Sequence, residues 1–83
     1  MPLNELAVAN RVVGIRSVRK ALLVGRLEKL FIADDARKAL VSVLEEEAHK
    51  AGVVVERTES MFLLGRACAI ARGASAAGIV RCV

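Results

Sequence analysis

The stretch VVGIRSVRKALLVGR, residues 12–26, places a glycine and several cations where a helix is predicted to begin. Gly14 follows two valines, and Arg16, Arg19 and Lys20 share one face of the helix that comes next. A helix start carries partial positive charge and free N–H groups, so cations there cost stability unless an anion binds beside them. Arginine and lysine donate to phosphate oxygens and to guanine O6 and N7. The segment therefore predicts a site for phosphate or base edges, although an ordinary solvated basic face would show the same pattern.

A second candidate is the loop CAIARGAS, residues 68–75, which begins at the end of a predicted helix. It combines an apolar side chain, Ile70, with the cation Arg72 and with Gly73. An exposed isoleucine beside an arginine could stack on or wedge against unpaired bases. The alternative is a packed helix-to-strand loop, and the sequence does not place this loop beside the first segment.

The chain carries few residues of the types that catalysis or metal binding needs. The only histidine is His49, and Cys68 and Cys82 are too far from it in sequence to form a recognisable zinc motif. Asp34 and Asp35 follow a predicted strand and are interpreted as a helix cap rather than an acid pair. We therefore expect no enzyme activity, no cofactor and no metal. The cysteines are interpreted as free thiols in a reducing cytoplasm.

Composition and charge favour one small basic domain, residues 1–83. The chain is 55% hydrophobic but only 2% aromatic, so its core must be built from Val, Leu, Ile and Ala. The net charge of +4 suits a nucleic acid or another anionic partner. Both flanks of the chain are basic and the middle is mixed to acidic, so flanks that meet in space would form a positive patch. No signal peptide or membrane-spanning run is indicated.

Helical and strand patterns alternate along the chain. A short helix is predicted in LNELAVAN, with later helices at residues 16–24, 36–51 and 61–69 and strands at 11–14, 29–33, 53–58 and 76–83. The expected helix ends are Gly25 and Gly52, and Ser60 is the expected start of the last helix. The buried stripe of the long helix is expected to contain Ala36, Ala39, Leu40, Val43, Leu44 and Ala48. This alternation predicts a mixed, largely parallel sheet between helix layers.

Two blocks of the sequence carry a resemblance to a known family. They read VVGIRSVRKALLVGRLEKLFIADDA and RTESMFLLGRACAIARGASAAGIV. Their order of strand, glycine, helix and strand, followed by the downstream helix and loop, resembles the kink-turn RNA-binding ribosomal protein family. That family is of the L-seven-Ae type and belongs to the L-thirty-e superfamily. Its short bacterial members are the most similar to this sequence. The resemblance runs from about Leu6 to Ile79.

The resemblance implies a three-layer α-β-α sandwich with a central four-stranded mixed sheet. It also implies binding to kink-turn RNA beside tandem sheared G·A pairs, with the downstream loop covering unpaired bases. The residues it implicates are Gly14, Arg16, Ser17 and Lys20 in the groove, Ile70, Ala71, Arg72, Gly73 and Ala74 in the capping loop, and Arg66 at a phosphate. The chain departs from the family at Arg16-Ser17, where Asn-Glu is common, at Ala69, where glycine is common, and at Arg72, where an apolar residue is common.

The favoured function is therefore non-catalytic RNA binding, with a kink-turn RNA as the partner and ribosomal RNA as one candidate source. A monomer is expected, with no membrane and no small-molecule substrate. One alternative is a protein–protein scaffold on the same fold, suggested by the positive mean hydropathy and by a surface rich in alanine (Ala36, Ala74, Ala76 and Ala77). Another is an accessory recognition module of an RNA-modifying enzyme.

Overall fold

The computed structural model describes residues 10–70 and 73–81, which form strands and helices in alternation. The elements are β1 (Arg11–Val13), α1 (Ile15–Leu23), β2 (Leu27–Ala33), α2 (Lys38–Lys50), β3 (Val54–Thr58), α3 (Met61–Ala67) and β4 (Ala76–Val80). The helix predicted in LNELAVAN and the last two residues of the final predicted strand lie outside the described residues, apart from Asn10 at the entrance to β1.

The sheet has the strand order β1-β4-β2-β3. β4 runs antiparallel to both of its neighbours, and β2 and β3 are parallel. The mixed sheet is confirmed, but the expectation of a largely parallel one is wrong. The reason lies between α3 and β4: Ile70 N–H donates to Gly65 O at 3.0 Å just after the helix, and Ala74 N–H donates to Met61 O at 3.0 Å, so Ala74 is back beside the first residue of α3. The return reverses the direction in which the chain enters β4.

The helices cover both faces of this sheet. α1 and α2 pack against each other and against the strands, whereas α3 packs on β2, β3 and β4 from the other side. β2 lies inside the sheet and its residues Leu30, Phe31, Ile32 and Ala33 are buried in succession, as expected for a strand covered on both faces. The three-layer sandwich is therefore confirmed for the described residues.

The two aspartates after β2 do not cap α2. That helix begins at Lys38, two residues later than expected, and its N-cap is Arg37. Asp35 instead accepts a hydrogen bond from Met61 N–H at 2.7 Å, so it caps the start of α3. Ser60 adds a second cap by accepting from Leu63 N–H at 3.1 Å, as the sequence predicts. The carboxylate has the predicted capping role, but toward a helix that is distant in sequence.

The buried face of α2 also differs from the prediction. Val41, Leu44 and Ala48 are buried, with a spacing of three and four residues. Leu40 and Val43 belong to the neighbouring stripe, and they are 48% and 51% exposed. Because only one narrow face of this helix meets the sheet, the wider apolar stripe read from the sequence is divided between core and surface.

The three helices of the described residues end in the same hydrogen-bond motif. In each, the N–H after the left-handed residue bonds to a carbonyl five residues back, and the left-handed residue itself bonds three residues back, which is the Schellman arrangement. The left-handed residues are Gly25 (φ 76°), Gly52 (φ 74°) and Ala69 (φ 60°). The predicted glycine ends are confirmed, and the third helix uses an alanine in a conformation that favours glycine.

Because of this strain, we expect Ala69→Gly to increase the free energy of unfolding. Removing the Cβ relieves about 1–2 kcal/mol of left-handed strain, and the greater freedom of glycine in the unfolded chain offsets part of it. A net gain of up to about 1 kcal/mol should be visible in urea unfolding. Ala39→Gly, an exposed change within α2, should instead cost about 1 kcal/mol. Equal losses in the two variants would contradict the strain at Ala69.

Candidate nucleic-acid interface

The start of α1 is shaped by Gly14, its N-cap residue. Gly14 has φ 94° and ψ 152°, a combination essentially restricted to glycine, and its N–H donates to Ala76 O at 2.8 Å. Its carbonyl accepts from Val18 N–H at 3.0 Å, which closes the first helical turn. No side chain caps this helix start. The outward N–H groups of the first turn are therefore available to an acceptor from outside the chain.

The two segments singled out in the sequence lie side by side. β1 pairs with β4 so that Val13 is opposite Ala77, and Gly14 N–H donates to the carbonyl of Ala76. The end of β1 and the start of β4 therefore meet at one end of the sheet, called here the Gly14 end. Between them is a cleft of about 420 Å³ lined by Val13, Gly14, Ile15, Ile70, Gly73, Ala74 and Ser75.

The described residues of the loop that forms one wall of this cleft present an isoleucine, backbone and small side chains. Ile70 is half-buried and faces the cleft, and Gly73 is exposed. The side chain of Ala74 is buried, so this residue offers only its backbone to a ligand. Gly73 is held against α3, since a Cβ on it would approach Met61 Cβ at 3.0 Å. Ala71 and Arg72 lie outside the described residues.

The basic residues of α1 are spread along the helix rather than gathered at its start. Arg16 is in the first turn, but Lys20 is already in the last turn of this nine-residue helix. The helix dipole favours a cation at that position, so the expected cost of cations at the helix start applies to Arg16 alone. The prediction of a cation cluster at the N-terminus is wrong because the helix is short.

The exposed side of α1 forms a second, larger groove next to α2. It has a volume of about 600 Å³, and Arg16, Arg19 and Lys20 line it together with the apolar residues Ile15, Leu23, Val24 and Leu40. Ser17 faces the other side, toward β1 and β4, in a groove that it shares with Lys20 and Arg26. Lys20 reaches both grooves. Cations of α1 therefore line the grooves on both sides of this helix.

One of these cations already has a partner within the protein. Arg19 Nε lies 3.3 Å from Glu47 Oε1, and Arg19 Nη2 donates to Glu47 Oε2 at 3.5 Å. Glu47 Oε1 is itself buried, and no described group gives it a well-aligned hydrogen bond, so the contact there is mainly a charge–charge attraction. The pair joins α1 to α2 and offsets part of the charge that Arg19 presents to the groove.

Arg66, the predicted phosphate contact, is exposed on α3. Its guanidinium carbon lies 5.8 Å from the centre of the Phe62 ring, one helical turn earlier. This distance is within the range of a cation–π contact. The side chain is therefore steadied against the helix surface, with its charge open to solvent.

The basic flanks of the chain do meet, but at the opposite end of the sheet. Arg81 N–H donates to Arg26 O at 2.9 Å, and Arg11 begins β1 opposite Ile79. Because β1 and β2 run antiparallel to β4, these arginines are remote from the Gly14 end. The described basic residues of the two flanks thus lie on α1, on α3 and at the end of the sheet opposite Gly14.

Arg57 is held in an acidic network at the Gly14 end of the sheet. Its Nη1 lies 3.0 Å from Asp34 Oδ1, and its Nη2 lies 2.7 Å from Glu45 Oε1. The hydrogen bond to Asp34 and the charge of Glu45 raise the pKa of the Arg57 guanidinium. The network joins β2, β3 and α2, and its cation is neutralised within the protein.

The cysteine that the structure describes is part of the core. Cys68 is 1% exposed, and burial raises the pKa of its thiol, which disfavours the reactive thiolate. Within residues 10–70 and 73–81, no three His, Cys, Asp or Glu side chains are grouped closely enough to hold a metal ion. In the same ranges, no helix has the length and apolarity of a membrane span.

Three residues of the cleft were not singled out in the sequence. Val13, Ile15 and Ser75 line it beside the predicted residues. Val13 and Ile15 flank Gly14, and Ser75 is the last residue of the predicted loop, after the residues chosen as its site. Their adjacency was the available signal, but their apolar or small side chains gave no chemical reason to select them.

Comparison with known proteins finds the same fold in solved structures. One is a protein of unknown function from Bacillus halodurans C, with a TM-score of 0.85 and 20% identity over 95% of this chain and 83% of that one. Another is the 15.5kD RNA binding protein of Giardia lamblia, with a TM-score of 0.88 and 26% identity over 98% of this chain and 72% of that one. No family model matches the chain.

Curated relatives are similar over most of their length. An RNA-binding protein of Geobacillus sp. strain WCH70 is 36% identical over 76 residues, which are 92% of this chain and 93% of the relative. The RNA-binding protein YbxF of Geobacillus stearothermophilus is 34% identical over 70 residues, which are 84% of this chain and 85% of the relative. The chain belongs to the family of small bacterial proteins that these relatives represent.

The backbone at Gly14 gives a test of how the helix start is built. A Cβ at Gly14 or at Gly25 would meet no atom within 4 Å, so alanine at either position is opposed by backbone conformation alone. Gly25 has left-handed geometry, for which alanine costs about 1–2 kcal/mol. Gly14 lies in a region that is essentially restricted to glycine, so we expect Gly14→Ala to cost more, up to about 3 kcal/mol. Urea unfolding of the two variants measures the difference, and a smaller loss at Gly14 would contradict it.

Proposed function

We propose that this protein is a non-catalytic RNA-binding protein that recognises kink-turn structured RNA and stabilises its bent state. Its family relatives are named RNA-binding proteins. The observation that carries the proposal is the cleft at the Gly14 end of the sheet, where the start of α1 and the loop after α3 form opposite walls. These are the two segments through which the resembled family holds its RNA.

In this proposal, the start of α1 enters the RNA groove beside the sheared G·A pairs. Gly14 has no side chain, so RNA can approach the backbone closely, and the uncapped N–H groups face the phosphate or base acceptors. Arg16, Ser17 and Lys20 would contact the two sides of the groove, because they project to both sides of the helix. Ser17 is too short to reach as far as the glutamate common in the family, so base selection would rest mainly on the two cations.

The opposite wall would cover the unpaired bases. Ile70 supplies an apolar surface, Gly73 permits close approach, and Ala74 contributes backbone only. Ala71 and Arg72 are proposed to complete this loop, on the resemblance alone. The wall is fixed to α3 by the two loop-to-helix hydrogen bonds, so the cleft is formed before RNA arrives.

A preformed cleft gives a simple physical mechanism. A kink-turn RNA exchanges between bent and extended states, and a protein that fits only the bent state shifts the population towards it. Phosphate contacts from Lys20, Arg66 and the neighbouring cations would supply affinity that depends on salt concentration. Contacts in the cleft would supply the selectivity. The monomeric state, the single domain, the cytoplasmic location and ribosomal RNA as a target stay predictions.

A protein–protein scaffold is the second candidate, for a different reason from the one that the sequence suggested. The alanines expected at the surface, Ala36, Ala74, Ala76 and Ala77, are all buried, so that argument is wrong. The groove beside α1 instead exposes Leu23 at 68%, Val24 at 62% and Leu40 at 48%. A scaffold that used this surface would tolerate loss of the nearby cations without loss of partner binding.

The decisive experiment compares a kink-turn RNA with a straight duplex of equal length over a series of salt concentrations. We expect wild-type protein to prefer the kink-turn, and Lys20→Ala to reduce that preference by roughly five- to 150-fold if Lys20 contacts bases. If Lys20 contacts a phosphate, the variant should lower the salt dependence by about one counterion. Lys50→Ala is the matched control, since Lys50 is exposed at the end of α2 and pairs with Glu46.

Equal binding of wild-type protein to both RNAs, lost at moderate salt, would leave only a basic surface and would overturn the kink-turn proposal. Equal losses in Lys20→Ala and Lys50→Ala would show that net charge alone matters. Urea unfolding of both variants checks that neither change acts through stability.

The Arg19–Glu47 pair gives a second test, in which a substitution is expected to strengthen RNA binding. Glu47→Gln removes the carboxylate charge that offsets Arg19, so we expect it to strengthen RNA binding by roughly two- to fivefold at low salt. Glu46→Gln changes the net charge equally, but Glu46, the preceding residue of α2, pairs with Lys50 rather than with Arg19. Electrophoretic mobility shift titrations of both variants measure this. An equal gain in Glu46→Gln would show that the effect does not act through Arg19.

A further inference from the structure

The two phenylalanines of the chain have similar cationic neighbours but opposite exposure. Phe31 lies in β2 with Lys29 Nζ 5.3 Å from its ring centre, and it is 1% exposed. Phe62 lies in α3 with the Arg66 guanidinium at 5.8 Å, and it is 64% exposed. Phe31 is accounted for by the core. The ring of Phe62 contributes little to the core and holds a large apolar face in water, next to a cation.

Phe62 lies at the Gly14 end of the sheet. β3 and β2 end together there, because Ala33 is opposite Thr58, and Ala33 N–H donates to Ser75 O at 3.0 Å. α3 begins three residues after β3 ends, so Phe62 is in the first turn of the helix that starts from this end. The carbonyl of Met61, its neighbour in sequence, holds Ala74 in the wall of the cleft. Phe62 is therefore one residue from an anchor of the proposed interface.

The chemistry of the pair indicates which kind of ligand fits. A flat, exposed aromatic ring stacks on nucleic-acid bases of any sequence, because every base has a π face. The adjacent guanidinium complements the phosphate that accompanies each base. A purely apolar protein partner would leave this charge without a counterpart, whereas a nucleotide satisfies both groups at once.

We propose that Phe62 is a stacking platform for an unpaired base of the bound RNA, with Arg66 contacting the adjacent phosphate. This rests on the proposed function for the identity of the ligand, and it extends the interface from the cleft onto α3. The base would be one that lies next to the nucleotides covered by the loop of Ile70. Phe62 is then a residue that sets affinity for RNA with an unpaired nucleotide, not a structural residue.

The test uses Phe62→Leu, which keeps an apolar side chain but removes the ring, and Phe62→Tyr, which keeps the ring. Val54→Ala is the control: Val54 is 59% exposed and lies in β3 at the opposite end of the sheet. Each variant is titrated with a kink-turn RNA and with a single-stranded oligouridylate of about twelve nucleotides. The same RNAs carrying 4-thiouridine are photo-crosslinked, and the crosslinked residue is identified by mass spectrometry.

We expect Phe62→Leu to weaken binding to the kink-turn RNA by roughly five- to 150-fold, the range for loss of one stacked base. Phe62→Tyr and Val54→Ala should bind as wild type does, and residue 62 should be crosslinked. Unchanged binding in Phe62→Leu, with no crosslink at residue 62, would overturn the platform while the kink-turn preference of wild type still stood.

The single-stranded RNA separates this proposal from the function it rests on. If wild type shows no kink-turn preference but binds oligouridylate in a way that Phe62→Leu abolishes, the platform stands and the kink-turn proposal falls. If wild type binds neither RNA, both are overturned. Urea unfolding of Phe62→Leu confirms that the folded state is retained, as expected for so exposed a side chain.

Discussion

The pairing of β4 with both β1 and β2 is the interaction on which the rest of the structure depends. β1 and β2 do not pair with each other, so β4 supplies the hydrogen bonds that join the first strand to the rest of the sheet. Gly78 makes this possible at the centre of β4, because a Cβ there would overlap the Leu27 side chain and approach Lys29 O at 3.0 Å. The same pairing fixes the cleft, since Gly14 is bonded to the first residue of β4.

The local features of the fold were predictable from sequence because each depends on nearby residues. Gly25 and Gly52 end helices through their own backbone freedom, and Ser60 caps the helix that it precedes. The strand directions were not predictable in this way. They depend on the position of Ala74 beside the start of α3, a tertiary arrangement held by a backbone hydrogen bond from Ala74 to Met61. The capping role of Asp35 toward α3 was also not predictable, since its partner Met61 is distant in sequence.

The candidate site was predictable in its parts but not in its assembly. Gly14 and Ile70 were each selected for their local chemistry, and only the register of β1 against β4 brings them to one cleft. The charges of α1 were harder to judge, because their effect depends on where the helix ends and on what faces them. Lys20 falls in a favourable last turn, and Arg19 meets a glutamate from another helix. Sequence patterns identify which residues carry charge, whereas packing decides how much of it reaches a ligand.

The central position of β4 has a consequence for how the protein is made. β1, β2 and β3 are synthesised before residues 76–80, yet β1 has no partner strand in the native sheet until β4 is present. Joining residue 13 to residue 77 closes a long loop, which is slow compared with forming the helices. Until that loop closes, Gly14 N–H has no Ala76 carbonyl to bond, and the two walls of the cleft are not held together. The cleft therefore comes into being in the same step that joins β1 to the rest of the sheet.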